Sequence, residues 1–344
     1  MLWNTSAKSS GGAAVGSGLL EDVILEPVIL EAKRRGTIIS WIAFGDRIHN
    51  FLNSACVEKH YIIICNLSPK TYNLLMSNVL KFECIDNARQ LGGIPAGGSR
   101  VKHNLLFRSG NLSKATEHDL HRLRDDFGVR LVIDLRSDFE YMQKPDKLLD
   151  GMDSALIPIL DESMHGDAFN KDQVVPATGV DFMEFLFGIA RHPIAGTLKD
   201  KLYNYFADSD YASKQYAKVF EMILAQKGAP VLWHCTSGKD RCGFCSALML
   251  AALGADDCTI LDDYTESANS YRKPLEAMTA KGRASGMTEE QLDILHFLVS
   301  VKREYLEIPL KRINAEYGSL LNFITQRMHV PAATIDALRE YYLE

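Results

Sequence analysis

The sequence predicts an α/β fold, a central, mostly parallel sheet flanked by helices, and three observations carry that expectation. Two short apolar stretches, VRLVIDL and APVLWHC, read as buried strands, the second running into a loop and then a helix. From about residue 85 onward, strand-like and helix-like segments alternate, the pattern of a sheet covered by helices. RCGFCSALMLAAL is apolar nearly all round, so it reads as a helix buried on the sheet and ended by Gly254.

In chain order, residues 1–20 are rich in Ser, Gly and Ala and read as a flexible tail, without the basic and apolar regions of a secretory signal. Residues 21–82 contain VILEPVIL, GTIISWIAF and HYIIICNL, dense in Ile, Val and aromatics, and read as a small β-rich accessory subdomain. Residues 83–344 read as the main domain. There TEHDLHRLRDDFG opens on the N-cap candidate Thr116, places Leu120, Leu123 and Phe127 on one face and stops at Gly128. Residues 161–227 are helical in texture with turn residues interspersed, which suits a helical lid inserted over a site and equally a plain helical layer. Thr288 to Gln291 forms a capping-box pattern at the head of another helix.

The 344 residues carry 47% hydrophobic and 24% charged residues, which suits a folded chain and not a disordered or fibrous one. A formal charge of -6 gives no global positive field for nucleic acid or an anionic membrane, so a bound anion has to be held locally. No apolar run reaches the ~20 residues that span a bilayer. Seven scattered cysteines do not form a secreted disulfide pattern, which points to a reducing, cytoplasmic setting. No second Cys or His pair follows at finger spacing, so neither a metal nor another cofactor is expected.

One segment stands apart: His234-Cys235-Thr236-Ser237-Gly238-Lys239-Asp240-Arg241, between a buried strand and a buried helix. A loop entering a helix N-terminus aims backbone N–H groups and the positive end of the helix dipole into one cavity, which suits an oxyanion. Thr236, Ser237, Gly238, Lys239 and Cys242 belong to this candidate phosphate cradle. Gly238 lets the backbone curl, and Arg241 offers a planar fork to two phosphate oxygens. Helix N-termini and nearby cations bring a thiol from ~8.5 to ~3.5–7.5, so Cys235 is the candidate nucleophile. A departing alkoxide or phenoxide needs a proton. Asp240 is the first candidate to give it, Asp134 at the end of VRLVIDL the second, and Asp161 and Asp167 come third. His234 reads as a core residue behind the loop, and Cys245 and Cys258 as inert core cysteines.

HCTSGKDR resembles the H-C-x5-R loop of cysteine-based tyrosine phosphatases, and in detail the bacterial "tyrosine phosphatase family 3" type with its H-C-x-x-G-K-D-R. Asn87-Ala88-Arg89-Gln90-Leu91-Gly92-Gly93, LFRSGNL, VIDLRSDFE and the tail REYLEIPLKRINAEYGSLLNFI resemble further elements of that family, in its order. The resemblance implies a phosphomonoesterase in which Cys235 is the nucleophile, Arg241 the phosphate clamp, Asp240 the acid and Lys239 an extra phosphate contact, with Asp134 lining the site. It implies phosphotyrosine, and also phosphoserine, phosphothreonine or phosphoinositide, as substrates. Cys242 stands where the family usually has a Ser or Thr that donates to the nucleophile, and Ala88-Arg89-Gln90 stands for F-R-D. Two other readings of the loop are a thiol-dependent oxyanion enzyme of the arsenate reductase or rhodanese kind, with Cys242 and Cys245 as resolving thiols, and a pseudophosphatase that binds phosphorylated partners without turnover.

Overall fold

The structure is a computed structural model and describes residues 78–161, 182–192 and 195–344. The tail, nearly all of the β-rich stretch and the first part of the expected lid, Asp167 included, lie outside the described residues.

Seven short strands are present among these residues: β1 (Arg89–Gln90), β2 (Pro95–Ala96), β3 (Ser99–Arg100), β4 (Leu106–Ser109), β5 (Leu131–Asp134), β6 (Asp153–Leu156) and β7 (Val231–His234). The helices that matter below are α1 (Glu117–His121), α2 (Asp138–Gln143), α3 (Phe182–Arg191), α4 (Leu198–Asp208), α5 (Asp210–Ala225), α6 (Asp240–Leu253), α7 (Asp257–Glu266), α8 (Ala268–Ala284), α9 (Glu289–Val299) and α10 (Arg303–Tyr317). The main sheet runs β1-β4-β7-β5-β6, with β4, β7, β5 and β6 parallel and β1 antiparallel at one edge.

Both faces of this sheet are covered, which is why its central strands open on apolar residues and stay buried even at the polar Arg108, Ser109, Asp134 and His234 of their carboxyl ends. All four residues of β4, β5 and β7 are buried. Alternation splits them between two cores. Leu106, Leu131, Ile133, Val231 and Trp233 face the core that holds α6, while Phe107, Val132 and Leu232 face the core of Leu120, Leu123, Val129 and Met152. Helix α6 buries every residue from Cys242 to Leu253 and ends at Gly254 in the left-handed region (φ 97°), as its sequence foretold. Thr116 and Thr288 both build full capping boxes. Cys258 departs from expectation: it is exposed in the first turn of α7, whereas Cys245 is buried in α6.

Helices α4 and α5, from the stretch read as a lid, form a packed layer of the body. Tyr203, Phe206, Tyr216, Val219, Phe220 and Ile223 are fully buried in the same core as α6. Register completes the frame: His234 lies opposite both Ser109 and Asp134, so three parallel strands end level with one another where the loop to α6 begins. Ligand sites in open α/β sheets sit at this carboxyl edge. No helix among the described residues is long and apolar enough to cross a membrane.

Candidate active site

The loop from Cys235 to Arg241 is held from outside by its own carbonyls. Thr236 O accepts from Asn111 Nδ2 at 2.9 Å and Asn111 N at 3.3 Å. Ser237 O accepts from Asn87 Nδ2 at 3.2 Å and from the Tyr271 hydroxyl. Gly238 O accepts from Asn87 Nδ2 and Arg108 Nη2, both at 2.9 Å. In a planar trans peptide the C=O and the following N–H point in opposite directions. Tying three carbonyls outward therefore turns the N–H groups of Ser237, Gly238 and Lys239 to the inside, and none of them donates to a backbone carbonyl among the described residues. Behind them α6 adds its N-terminal dipole. Gly238 is required twice over: its φ is +68°, and a Cβ there would stand 2.4 Å from the Ser109 carbonyl carbon and oxygen.

Arg108 can hold Gly238 only because its own charge is balanced. Asp263 of α7 lies 2.5 Å from Arg108 Nη1 and 3.0 Å from Arg89 Nε. Burial works against the Asp263 anion, yet the two guanidiniums hold its carboxyl below the ordinary range. Arg89 also donates to Asn87 Oδ1 at 2.9 Å, fixing the amide that bonds two loop carbonyls. The N-A-R and F-R-S-G stretches thus form the loop's rear support.

Cys235 is 2% exposed at the base of the loop. Arg241 stands in the first turn of α6, and its Nη1 and Nη2 donate to Glu140 Oε2 and Oε1 at 2.5 and 2.8 Å. The Thr236 hydroxyl donates to the same carboxylate. Burial opposes the Glu140 anion, but the Arg241 guanidinium holds its carboxyl far below the usual range. Pairing of Nη1 and Nη2 with Glu140, together with an Nη2 hydrogen bond to the Thr236 hydroxyl oxygen at 3.2 Å, fixes the guanidinium plane and leaves Nε for an oxyanion. Sequence reasoning passed over Glu140. Its signal was the Ser137-x-x-Glu140 capping box, which is present and makes this acid look like a local helix device.

Asp240 is brought to the loop: its Oδ1 accepts from the Tyr203 hydroxyl at 2.5 Å, and its Oδ2 lies 3.4 Å from Lys239 Nζ. Lys239 itself points elsewhere than expected. Its Nζ is buried and donates to Phe297 O at 3.0 Å and Ser300 O at 3.2 Å, over the Phe297 ring. The last carbonyls of α9 have no helical partners and carry the negative end of its dipole, which draws the ammonium away from the cradle.

Cys242 also departs from its assigned place. Its side chain is fully buried, its Sγ faces Trp233 O at 3.7 Å, and burial pushes the thiol up to about 12. Burial likewise raises Cys245. Both thiols are poor partners for a thiol relay, which removes the support for an arsenate reductase or rhodanese chemistry.

Asp134 is 2% exposed, and both of its oxygens are taken by Arg136, with Nε at 2.9 and 3.0 Å and Nη2 at 2.7 Å. The same guanidinium reaches Asp146 at 3.0 Å, and Asp146 lies 2.8 Å from His234 Nε2. With every lone-pair direction spent on a buried ion pair, Asp134 braces the strand ends and does not face a leaving group. Asp134, Asp146 and His234 bring ligand atoms within 4.8 Å of one another, the spacing a metal ion needs, but Arg136 already supplies the positive charge between the two carboxylates. Asp161 donates its backbone N–H to the Tyr205 hydroxyl at 3.2 Å.

A family model described as the tyrosine phosphatase family matches residues 80–344. A candidate tyrosine-protein phosphatase of Cupriavidus necator is 30% identical over 291 residues, covering 84% of this chain and 97% of that protein. The triple specificity protein phosphatase PtpB of Mycobacterium tuberculosis is 28% identical over 257 residues, 68% of this chain and 89% of its own. A tyrosine-protein phosphatase of Nostoc commune is 30% identical over 169 residues, about half of each chain. The family model thus covers nearly the whole described region, including the loop with Cys235 at its base and Arg241 at its rim, and the chain belongs to the tyrosine phosphatase family.

Proposed function

We propose that the protein hydrolyses phosphate monoesters, phosphotyrosine first, through a cysteinyl-phosphate intermediate. The observation that carries this reading is the outward tying of the Thr236, Ser237 and Gly238 carbonyls, which turns three N–H donors toward the space above Cys235. Cys235 Sγ attacks phosphorus in line, the P–O ester bond breaks, and its electron pair stays on the departing oxygen. Asp240 gives that oxygen a proton. A water then attacks phosphorus, loses a proton to Asp240, and the S–P bond breaks to release phosphate and the thiolate. Arg241 and the inward amides bear the charge on the equatorial oxygens in both steps, a role that geometry set before substrate arrives.

One relative is named for triple specificity, which widens the substrate panel to phosphoserine, phosphothreonine and phosphoinositides. The test is that panel run on wild type and Cys235→Ser. The expected result is turnover in the wild type, greatest for phosphotyrosine peptides, and none in Cys235→Ser. A folded wild-type protein that binds phosphopeptide without turnover would instead make it a pseudophosphatase.

A further inference from the structure

Asp240 does not stand alone. Tyr203, on α4, donates to its Oδ1 at 2.5 Å, and the Tyr203 and Tyr264 hydroxyls lie 2.5 Å apart. Tyr264 comes from α7, so three helices meet at one carboxylate. Tyr203 is fully buried, packed edge-on to Phe206 and Phe297 and tilted against Tyr305. Such packing leaves its ring no second orientation. Nothing in the loop motif points to either tyrosine, since they lie 37 residues before Asp240 and 24 after it.

We propose that Tyr203, supported by Tyr264, is the positioning residue of the general acid. The inference rests on the reading of Asp240 as that acid. A hydroxyl donated to Oδ1 occupies that oxygen, so the proton Asp240 carries before transfer sits on Oδ2, whose neighbour Lys239 Nζ, 3.4 Å away, is held by its shorter bonds to the Phe297 and Ser300 carbonyls. Only one of the two oxygens is then able to protonate the leaving group, and its direction is set by the rigid Tyr203 ring instead of by a freely turning carboxyl. Burial, the Asp240 charge and Tyr264 together raise Tyr203 well above the ordinary tyrosine range, so it stays protonated and remains a donor through the cycle. When Oδ2–H passes its proton to the ester oxygen, the carboxylate left behind keeps the Tyr203 hydrogen bond. In the second step Oδ2 takes the proton of the attacking water and the starting arrangement returns.

A positioning role for the acid makes a demand that packing alone does not: it matters in proportion to how much the leaving group needs a proton. The experiment compares kcat/KM, which covers the steps through ester cleavage, for phenyl phosphate and 2,4-dinitrophenyl phosphate. The expected result for Tyr203→Phe is a loss of about tenfold or more on phenyl phosphate, within the range general acids supply, and little change on the dinitrophenyl ester. Asp240→Asn is expected to show the same selectivity with a larger loss, and Tyr203→Phe added to Asp240→Asn to cost nothing further. Equal losses on both esters for Tyr203→Phe, or none on either, overturn the inference while leaving the Asp240 reading intact if Asp240→Asn is selective. An unselective Asp240→Asn overturns both. Competitive inhibition by vanadate reports that the cradle is folded in each variant. Should Tyr203→Phe fail that check, Tyr264→Phe decides, with a smaller but equally selective loss expected and an unselective one contradicting the proposal.

Discussion

Two arginine–carboxylate clusters flank the loop from Cys235 to Arg241, and they differ in what they leave exposed. At the rear, Arg89, Arg108 and Asp263 are 2%, 0% and 4% exposed, and Arg108 and Asn87 hold the Gly238 carbonyl. At the front, Arg241 and Glu140 are 11% and 29% exposed, and Glu140 and the Thr236 hydroxyl engage Nη1 and Nη2 but not Nε. The chemistry of the pairs is the same. The rear one is closed and holds the backbone, whereas the front one keeps donors available for an anion. A buried pair whose charges are all committed shapes the loop, and a half-open pair serves the ligand.

This contrast can be broken in order of size. Arg241→Lys replaces a fork by a point charge, so phosphatase turnover is expected to fall by about 10³-fold with thermal stability nearly unchanged. Asp263→Asn leaves two buried guanidiniums without a counter-charge, and urea unfolding is expected to report a loss of about 3–5 kcal/mol. The sign with pH follows from Asp263's lowered folded-state value: its stabilisation is full above the unfolded aspartate range near ~3.9 and is lost as pH falls toward the folded value. A steep loss of wild-type stability below about pH 4, shallower in Asp263→Asn, is the expected outcome. Glu140→Gln frees the Arg241 plane, and kcat/KM is expected to drop by about tenfold with little change in melting temperature, because the pair is partly solvated. Were Glu140→Gln to unfold the protein and Asp263→Asn to spare it, the front–rear distinction would be wrong.

The smallest effect belongs to Cys242. Because its Sγ faces the Trp233 carbonyl and its thiol is pushed up to about 12, Cys242→Ser is expected to leave intermediate breakdown almost unaltered. Alkylation at pH 8 mapped by mass spectrometry is expected to leave Cys242 unmodified while Cys235 reacts, with vanadate protecting Cys235.

The loop was legible because it is local. Cys235, Gly238 and Arg241 lie within seven residues of sequence, and strand, loop and helix follow one another in the chain. Lys239 and Cys242 were misplaced for one physical reason: each is turned by a partner that sequence adjacency hides. The carbonyl end of α9 draws the ammonium, and the Trp233 carbonyl receives the thiol. Asp134, the second candidate acid on sequence grounds, pairs with Arg136 at the strand end instead. Glu140 was disguised by its capping box, and Tyr203 stood in a stretch read as a lid that packs as part of the body.

The central claim is that Cys235 forms a bond to phosphorus. Rapid acid quench of the wild-type protein during turnover of an aryl phosphate, followed by mass spectrometry of the intact chain and its peptides, tests it most directly. The account expects one phosphoryl adduct, on Cys235, that disappears as substrate is exhausted and never forms in Cys235→Ser. Turnover that persists in Cys235→Ser, or an adduct on any other residue, would contradict it.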